Sequence, residues 1–127
     1  MNQEETRYKN IRDCPLTFAL SIIGGKWRLP IIWALWKNET LRYNELKRNI
    51  DGITNMMLSQ ALKEMEDYGL IARKQYMEIP PRVEYSLTEA GKDLVPSLKS
   101  LAKWGKHMQI SDNQRESRSN PNPNTTT

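Results

Sequence analysis

Polar and flexible side chains are concentrated in a short segment, residues 54–63, whose apolar residues are spaced as in an amphipathic helix. The spacing of three and four predicts one buried face, formed by Leu58, Ala61, Leu62 and Met65. The opposite face near the helix start would then carry Asn55, Met56, Ser59, Gln60 and Lys63. Asparagine and glutamine can bond to adenine, serine to several base edges, and methionine can lie against a thymine methyl group. Because this set lies where a recognition helix meets bases, we favour DNA recognition over an ordinary solvated helix face.

The elements around this segment match a helix-turn-helix followed by a wing. Residues 44–50 predict a two-turn helix, and an Asp-Gly turn follows it. Thr54 is predicted to cap the next helix through its hydroxyl, and Gly69 to end it in the left-handed conformation. Residues 71–76 and 83–88 predict paired strands around a Pro-rich loop. The predicted fold class is therefore mainly α with a small β-hairpin wing, a winged helix-turn-helix whose terminal helices form a dimer.

Basic residues flank the predicted recognition helix, on the preceding helix and around the wing. The candidates for phosphate or minor-groove contacts are Arg42, Lys47, Arg73, Lys74 and Arg82. Arg82 adjoins a rigid Pro-Pro pair, and we expect it to contact DNA. For Lys47 and Lys74, keeping the protein soluble explains the charge equally well. Arg42 and Thr54 complete the predicted DNA-binding set, whereas the acidic residues at 64, 66 and 67 are predicted to lie away from phosphate.

Cys14 is the only cysteine of the chain, and it precedes Pro15, a residue type favoured at the first helical position. Cys14 is therefore predicted to be the N-cap, where the helix dipole and unpaired amides favour the thiolate, with Arg12 adding positive charge. A lowered pKa would suit a sensor of oxidants or electrophiles. A small buried hydrophobic residue in a dimer interface explains the cysteine equally well, and both interpretations stay open.

Two apolar helices are predicted before the recognition segment and a long one after the wing. Residues 15–23 are apolar on nearly every side, which predicts a helix buried between other elements. The second helix is predicted to begin near Lys26 or Trp27, or to be kinked at Pro30. Thr88 is placed to cap the last helix, whose apolar stripe we expect to be buried on a second copy of the chain. The predicted dimer interface comprises Leu16, Leu20, Leu94, Leu98, Leu101 and Trp104.

Composition limits the chain to one compact domain and favours a polyanionic partner. The 127 residues include 19 Lys and Arg against 15 Asp and Glu, a net charge of +4. We expect a flexible arm at residues 1–12, a domain at 13–110 and a disordered polar tail at 111–127. The sequence has no signal-peptide-like or membrane-spanning run, so we expect a cytoplasmic protein. It has no metal-ligand cluster, cofactor motif or catalytic constellation, so no metal, cofactor or enzyme activity is predicted.

Five separated blocks occur in a fixed order: Cys14-Pro15, GGKW at 24–27, LRYNEL at 41–46, GIT at 52–54 with Leu58 and Leu62, and EYSLT at 84–88. Together they resemble the HxlR family of bacterial transcription regulators. The resemblance implies a dimeric winged-helix protein, related to the MarR type, that binds palindromic operator DNA. It also implies a sensing role, since several members respond to electrophiles, oxidants or aldehydes through the cysteine that Cys14 matches. This chain lacks the second cysteine that some redox-responsive relatives use.

Two other functions stay open at this level. A winged-helix module could bind another protein through its apolar helices and use no DNA, although the basic wing and the polar face of the recognition helix argue against it. A small-molecule effector bound between the helices, rather than modification of Cys14, could control a DNA-binding regulator.

Overall fold

The protein is mostly helical, with a small three-stranded antiparallel sheet, which confirms the predicted mainly α fold with a β-hairpin wing; the dimer of terminal helices stays a prediction. The computed structural model describes residues 13–119, so the predicted arm at 1–12 and residues 120–127 lie outside the described part. The elements in chain order are α1 (Pro15–Ile23), α2 (Arg28–Asn38), β1 (Thr40–Arg42), α3 (Tyr43–Asn49), α4 (Asn55–Asp67), β2 (Ile71–Tyr76), β3 (Arg82–Leu87) and α5 (Glu89–Ser119). No single described helix is long and apolar enough to cross a membrane, and α1 with α2 meets that test only as a pair bent by 77°.

The starts of α1 and α2 follow from their prolines. Cys14 is the N-cap of α1 with Pro15 at the first helical position, as predicted, and Gly24 is its C-cap. α2 begins after Trp27, so Pro30 falls in its first turn, where a missing amide leaves no helical hydrogen bond unmade. A kink at Pro30 is therefore not needed. The core residues that α2 contributes are Ile31, Ile32, Ala34 and Leu35.

The prediction that α1 is buried between other elements is wrong within one chain. Ile23 is its buried residue, whereas Leu16, Phe18 and Leu20 are 69%, 56% and 52% exposed. An apolar composition shows that a helix needs an apolar partner, but it does not show that the partner belongs to the same chain.

The sheet contains one strand that the sequence did not predict. The strand order is β1-β3-β2, and Leu41 of β1 pairs with Tyr85 of β3. Three residues are too few to display an alternating pattern, although Leu41 is buried between two exposed neighbours. The hairpin of β2 and β3 is confirmed, with Ile71 opposite Leu87 at its base and Tyr76 opposite Arg82 near the turn.

The helix-turn-helix is formed by α3 and α4. The Thr54 hydroxyl oxygen accepts a hydrogen bond from the Met57 amide at 3.1 Å, which confirms the predicted cap of α4. The four residues predicted to form the inward face of α4 are all buried: Leu58, Ala61, Leu62 and Met65. Gly69 follows the helix at φ 76°, a conformation that costs a residue with a Cβ atom considerable strain.

The last helix is capped as predicted but extends further than predicted. The Thr88 hydroxyl oxygen accepts from the Gly91 amide at 3.2 Å. α5 then continues through Ser119, so residues 111–119 are helical, contrary to the prediction of a disordered tail from Ser111. Extending an existing helix costs little, because each added residue gains a hydrogen bond, and an Arg115–Asp112 ion pair at 2.7 Å supports this stretch. Contacts divide the chain between Asp93 and Leu94, with the sheet and α1–α4 in the first unit.

Candidate nucleic-acid interface

The exposed surface at the start of α4 is the candidate base-reading surface. All five residues predicted for it are exposed, with Met56 at 79%: Asn55, Met56, Ser59, Gln60 and Lys63. They lie on the sides of α4 that its buried residues leave free, so the structure brings the predicted set together on one helix. Thr54 is also exposed, but its hydroxyl oxygen is engaged in the helix cap. The surface therefore offers amides, a hydroxyl, a thioether and one cation to a ligand.

Tyr43, the first residue of α3, orders one side of this surface. Its hydroxyl lies 2.9 Å from the Asn55 carbonyl oxygen, 3.0 Å from Ser59 Oγ and 3.3 Å from Asn55 Oδ1. These contacts join the two helices of the helix-turn-helix at the residues predicted to face DNA. Sequence patterns do not reveal this role of Tyr43, because hydrophobic periodicity carries no information about the position of a phenol hydroxyl.

Glu64 and Arg28 order the other side. Gln60 Nε2 donates to Glu64 Oε1 at 3.1 Å, and the Arg28 guanidinium pairs with Glu64 Oε2. Arg28 also donates to the carbonyl of Ile22 at the end of α1. The pKa of Glu64 lies below its ordinary value. The largest cause is the hydrogen bond from Arg28, followed by the hydrogen bond from Gln60, and the positive charge of Arg28 adds a smaller effect, whereas partial desolvation opposes all three. The C-terminal end of α1, the start of α2 and the face of α4 are thereby connected.

The wing carries basic residues, and Arg82, which is predicted to contact DNA, has close neighbours within the wing. The Arg82 guanidinium lies 3.4 Å from carboxylate oxygens of Glu78 and Glu84 and 4.1 Å from the centre of the Tyr76 ring. These neighbours balance its charge within the wing, and its predicted contact with DNA stays a prediction. Lys74, on the same strand as Tyr76, is exposed and has its ammonium nitrogen 4.9 Å from the centre of the Tyr76 ring.

Arg42 lies at the junction of β1 and α3 and is exposed. Its backbone amide donates to Glu45 Oε1 at 2.9 Å, which anchors the start of α3 and leaves the guanidinium at the surface. Lys47 on the same helix and Arg73 on β2 are exposed as well. Exposed basic side chains thus lie on β1, α3 and β2, the elements that precede and follow α4 in the chain, which suits contacts with a phosphate backbone.

Cys14 has the helix-capping position that the sequence predicts, and it is partly exposed. The side chain of Cys14 does not form a capping hydrogen bond of standard geometry. The pKa of the thiol is nevertheless lowered from its ordinary 9.0, first by the Thr17 amide, then by the Thr17 hydroxyl, and to a smaller extent by the Leu16 amide. Desolvation of the thiolate opposes these effects. Arg12, which was predicted to assist, lies outside the described residues.

The predicted dimer residues divide into exposed and covered sets within the single chain. Leu16 and Leu20 of α1 are exposed, as are Leu101 and Trp104 of α5 at 50% and 62%. Leu94 is half-buried, and Leu98 is buried at 7% exposure. Large apolar side chains on both α1 and α5 are thus exposed within one chain.

A short helix, a turn, a capped second helix and a β-hairpin in this order define the winged helix-turn-helix class of transcription regulators. The profile of the HxlR-like helix-turn-helix family matches residues 22–113, and the chain belongs to that family. It is 47% identical over 105 residues to an uncharacterised HTH-type transcriptional regulator of Halalkalibacterium halodurans, a match that covers 83% of this chain and 93% of the relative. The resemblance noted in the sequence is therefore confirmed.

Solved structures agree with this assignment. A MarR-family transcriptional regulator from Porphyromonas gingivalis superposes with a TM-score of 0.71 at 44% identity, covering 79% of this chain and 97% of that one. The redox regulator HypR in its reduced form gives a TM-score of 0.73 at 36% identity, covering 79% and 98%. The matched proteins are regulators rather than enzymes.

Proposed function

We propose that the protein is a sequence-specific transcription regulator that binds palindromic operator DNA as a homodimer, with α4 in the major groove. The observation that carries this proposal is the exposed set at the start of α4, where Asn55, Ser59 and Gln60 offer uncharged hydrogen-bonding groups. Uncharged polar side chains at the start of a recognition helix suit base edges, which carry both donors and acceptors. Arg42 and Lys63 supply positive charge for the adjoining phosphates.

A second copy of the chain is the partner that we assign to the exposed apolar side chains. Leu16 and Leu20 on α1 and Leu101 and Trp104 on α5 would otherwise remain in water. Two-fold symmetry of the protein would match two-fold symmetry of the operator, with recognition helices about 34 Å apart so that they enter successive major grooves. Sedimentation at micromolar concentration measures this state directly, and a monomer would contradict the proposal.

Modification of Cys14 is the regulatory input that we propose. A thiol with a lowered pKa at the N-cap of α1 is a suitable nucleophile toward oxidants and electrophiles, and the similar protein HypR is described as a redox regulator. With one thiol per chain, the products are a Cys14–Cys14 link between subunits, a mixed disulfide or an alkyl adduct. Each changes the packing of α1, whose C-terminal end is connected to α4 through Arg28.

DNA binding is tested by selecting bound duplexes from a random pool and measuring affinity for the selected site and for a scrambled site. We expect the selected site to be two-fold symmetric and to bind more tightly at physiological salt. Gln60→Ala should relax the preference at one position per half-site at a cost of ~1–3 kcal/mol. Gln109→Ala, an exposed amide on α5, is the matched control and should change nothing. Equal affinity for both duplexes would contradict sequence-specific DNA binding and favour the alternative function, a module that binds another protein.

The sensing role needs a separate measurement. DNA affinity is compared before and after diamide or quinone treatment, with mass spectrometry to follow Cys14 and with Cys14→Ser as the control. Complete modification with unchanged affinity and operator choice would contradict Cys14 sensing. A small-molecule effector would then be the better candidate, because a cavity of about 460 Å³ adjoins Gln60 and Glu64.

A further inference from the structure

The side-chain amide of Gln60 has two chemically different ends, and one of the two protons on its nitrogen end is already engaged. Gln60 Nε2 lies 3.1 Å from Glu64 Oε1. An ionised carboxylate only accepts hydrogen bonds, so the nitrogen end of the amide must turn toward Glu64. The carbonyl oxygen Oε1 of Gln60 then faces away from Glu64, on the exposed surface of α4.

Glu64 is itself held, so this orientation is not that of a freely rotating surface pair. The Arg28 guanidinium pairs with Glu64 Oε2, and the side chains of Arg28 and Glu64 are only 17% and 38% exposed. Arg28 is fixed in turn by the Ile22 carbonyl and by the Tyr68 ring, whose centre lies 5.5 Å from the guanidinium carbon. The lowered pKa of Glu64 keeps the carboxylate ionised at neutral pH.

We propose that Glu64, anchored by Arg28, is a positioning residue that fixes the hydrogen-bond polarity of Gln60, so that Gln60 presents its carbonyl oxygen to the major groove. This inference rests on the proposed DNA-binding function. An acceptor at this point selects a base with an exocyclic amino group, adenine N6 or cytosine N4. It opposes guanine O6 or thymine O4 at the same point, because two acceptors would face each other without a proton between them.

Without Glu64, the amide of Gln60 can rotate by half a turn and donate from Nε2 to a carbonyl group instead. Removal of Glu64 should therefore lower the preference for the amino-bearing base more than it lowers affinity. A residue that only stabilised the fold would weaken binding to all sequences alike. The ratio of affinities for two duplexes that differ at one group separates these roles.

The experiment first identifies the base pair whose preference disappears in Gln60→Ala. At that position, the exocyclic amino group is deleted by placing purine for adenine or 2-pyrimidinone for cytosine. We expect the full-length protein to lose about fivefold in affinity on deletion, the worth of one hydrogen bond. Gln60→Ala should bind both duplexes equally, and Glu64→Ala and Arg28→Met should lose most of the difference.

The matched control is Glu66→Ala, which removes the same charge from the same helix at an exposed position. It should keep the fivefold ratio while sharing any general gain in affinity that follows from removing a negative charge near DNA. Thermal unfolding of each variant shows that it is folded. A retained ratio in Glu64→Ala, or no loss in the wild-type protein on amino deletion, would overturn this inference alone. Equal wild-type affinity for operator and scrambled DNA would overturn the proposed function as well.

Discussion

Replacing Tyr43 with Phe removes one hydroxyl and tests whether α3 orders the α4 surface. That hydroxyl lies 2.9 Å from the Asn55 carbonyl oxygen and 3.0 Å from Ser59 Oγ. A phenol has one proton to donate, so it can donate to the Asn55 carbonyl while accepting from Ser59. Tyr43→Phe therefore removes two hydrogen bonds and leaves the aromatic ring in place.

The size of the effect follows from the setting of these bonds. A hydrogen bond within a protein contributes about 0.5–1.5 kcal/mol net, and water can replace bonds at an exposed site, so each lies near the lower limit. We expect Tyr43→Phe to lower the free energy of unfolding by about 1 kcal/mol. DNA affinity should fall roughly fivefold, because Asn55 and Ser59 must then be ordered at the moment of binding.

Urea unfolding at matched protein concentrations measures the first quantity, and anisotropy with a labelled operator measures the second. A double-mutant cycle with Ser59→Ala should show a coupling energy of about 0.5 kcal/mol or more. Tyr76→Phe is the control, because Tyr76 contacts Arg82 and Lys74 through its ring. If Tyr43→Phe matches the wild type in stability and affinity and the cycle gives no coupling, the hydroxyl does not order α4.

Three further outcomes are expected. Gly91→Ala should lower the free energy of unfolding by about 1–3 kcal/mol despite alanine's better helix propensity, because a Cβ atom there would overlap the Leu70 carbonyl. A Cβ atom at Gly105 meets nothing within 4 Å, so Gly105→Ala should raise the free energy of unfolding by ~0.5–1 kcal/mol. Thermal unfolding of both variants measures these effects, and a stabilised Gly91→Ala would contradict the predicted overlap. Cys14 should react with iodoacetamide along a pH profile whose midpoint lies below 9.0, and a midpoint at or above that value would show that Thr17 does not favour the thiolate. The pKa of Glu64 in the folded protein lies below its ordinary 4.5, so Glu64 should contribute its full stabilisation above pH 4.5 and lose it as the pH falls through the lower folded pKa. NMR of the carboxyl carbon should show that the pKa of Glu64 rises in Arg28→Met. An unchanged titration of Glu64 in that variant would contradict the pairing with Arg28.

The tertiary structure decided where the polar side chains meet. Arg28 and Glu64 are 36 residues apart, and Tyr43 lies 16 residues from Ser59. Spacing along the chain does not encode such pairs, since they form only when α2, α3 and α4 fold together. The same holds for Arg82: its residue type and loop predict a contact with DNA, but only the folded hairpin brings the Tyr76 ring and the carboxylates of Glu78 and Glu84 around it.

The sequence by itself determined the local elements. The spacing of Leu58, Ala61, Leu62 and Met65 specified both α4 and its exposed face, and Thr54 and Gly69 specified its ends, because caps and hydrophobic periodicity act over one or two helical turns. Features that depend on contacts distant in sequence were decided only by the fold. β1 exists because Leu41 pairs with Tyr85, and α1 exposes Leu16 and Leu20 because no residue between 13 and 93 covers them, which no local pattern records.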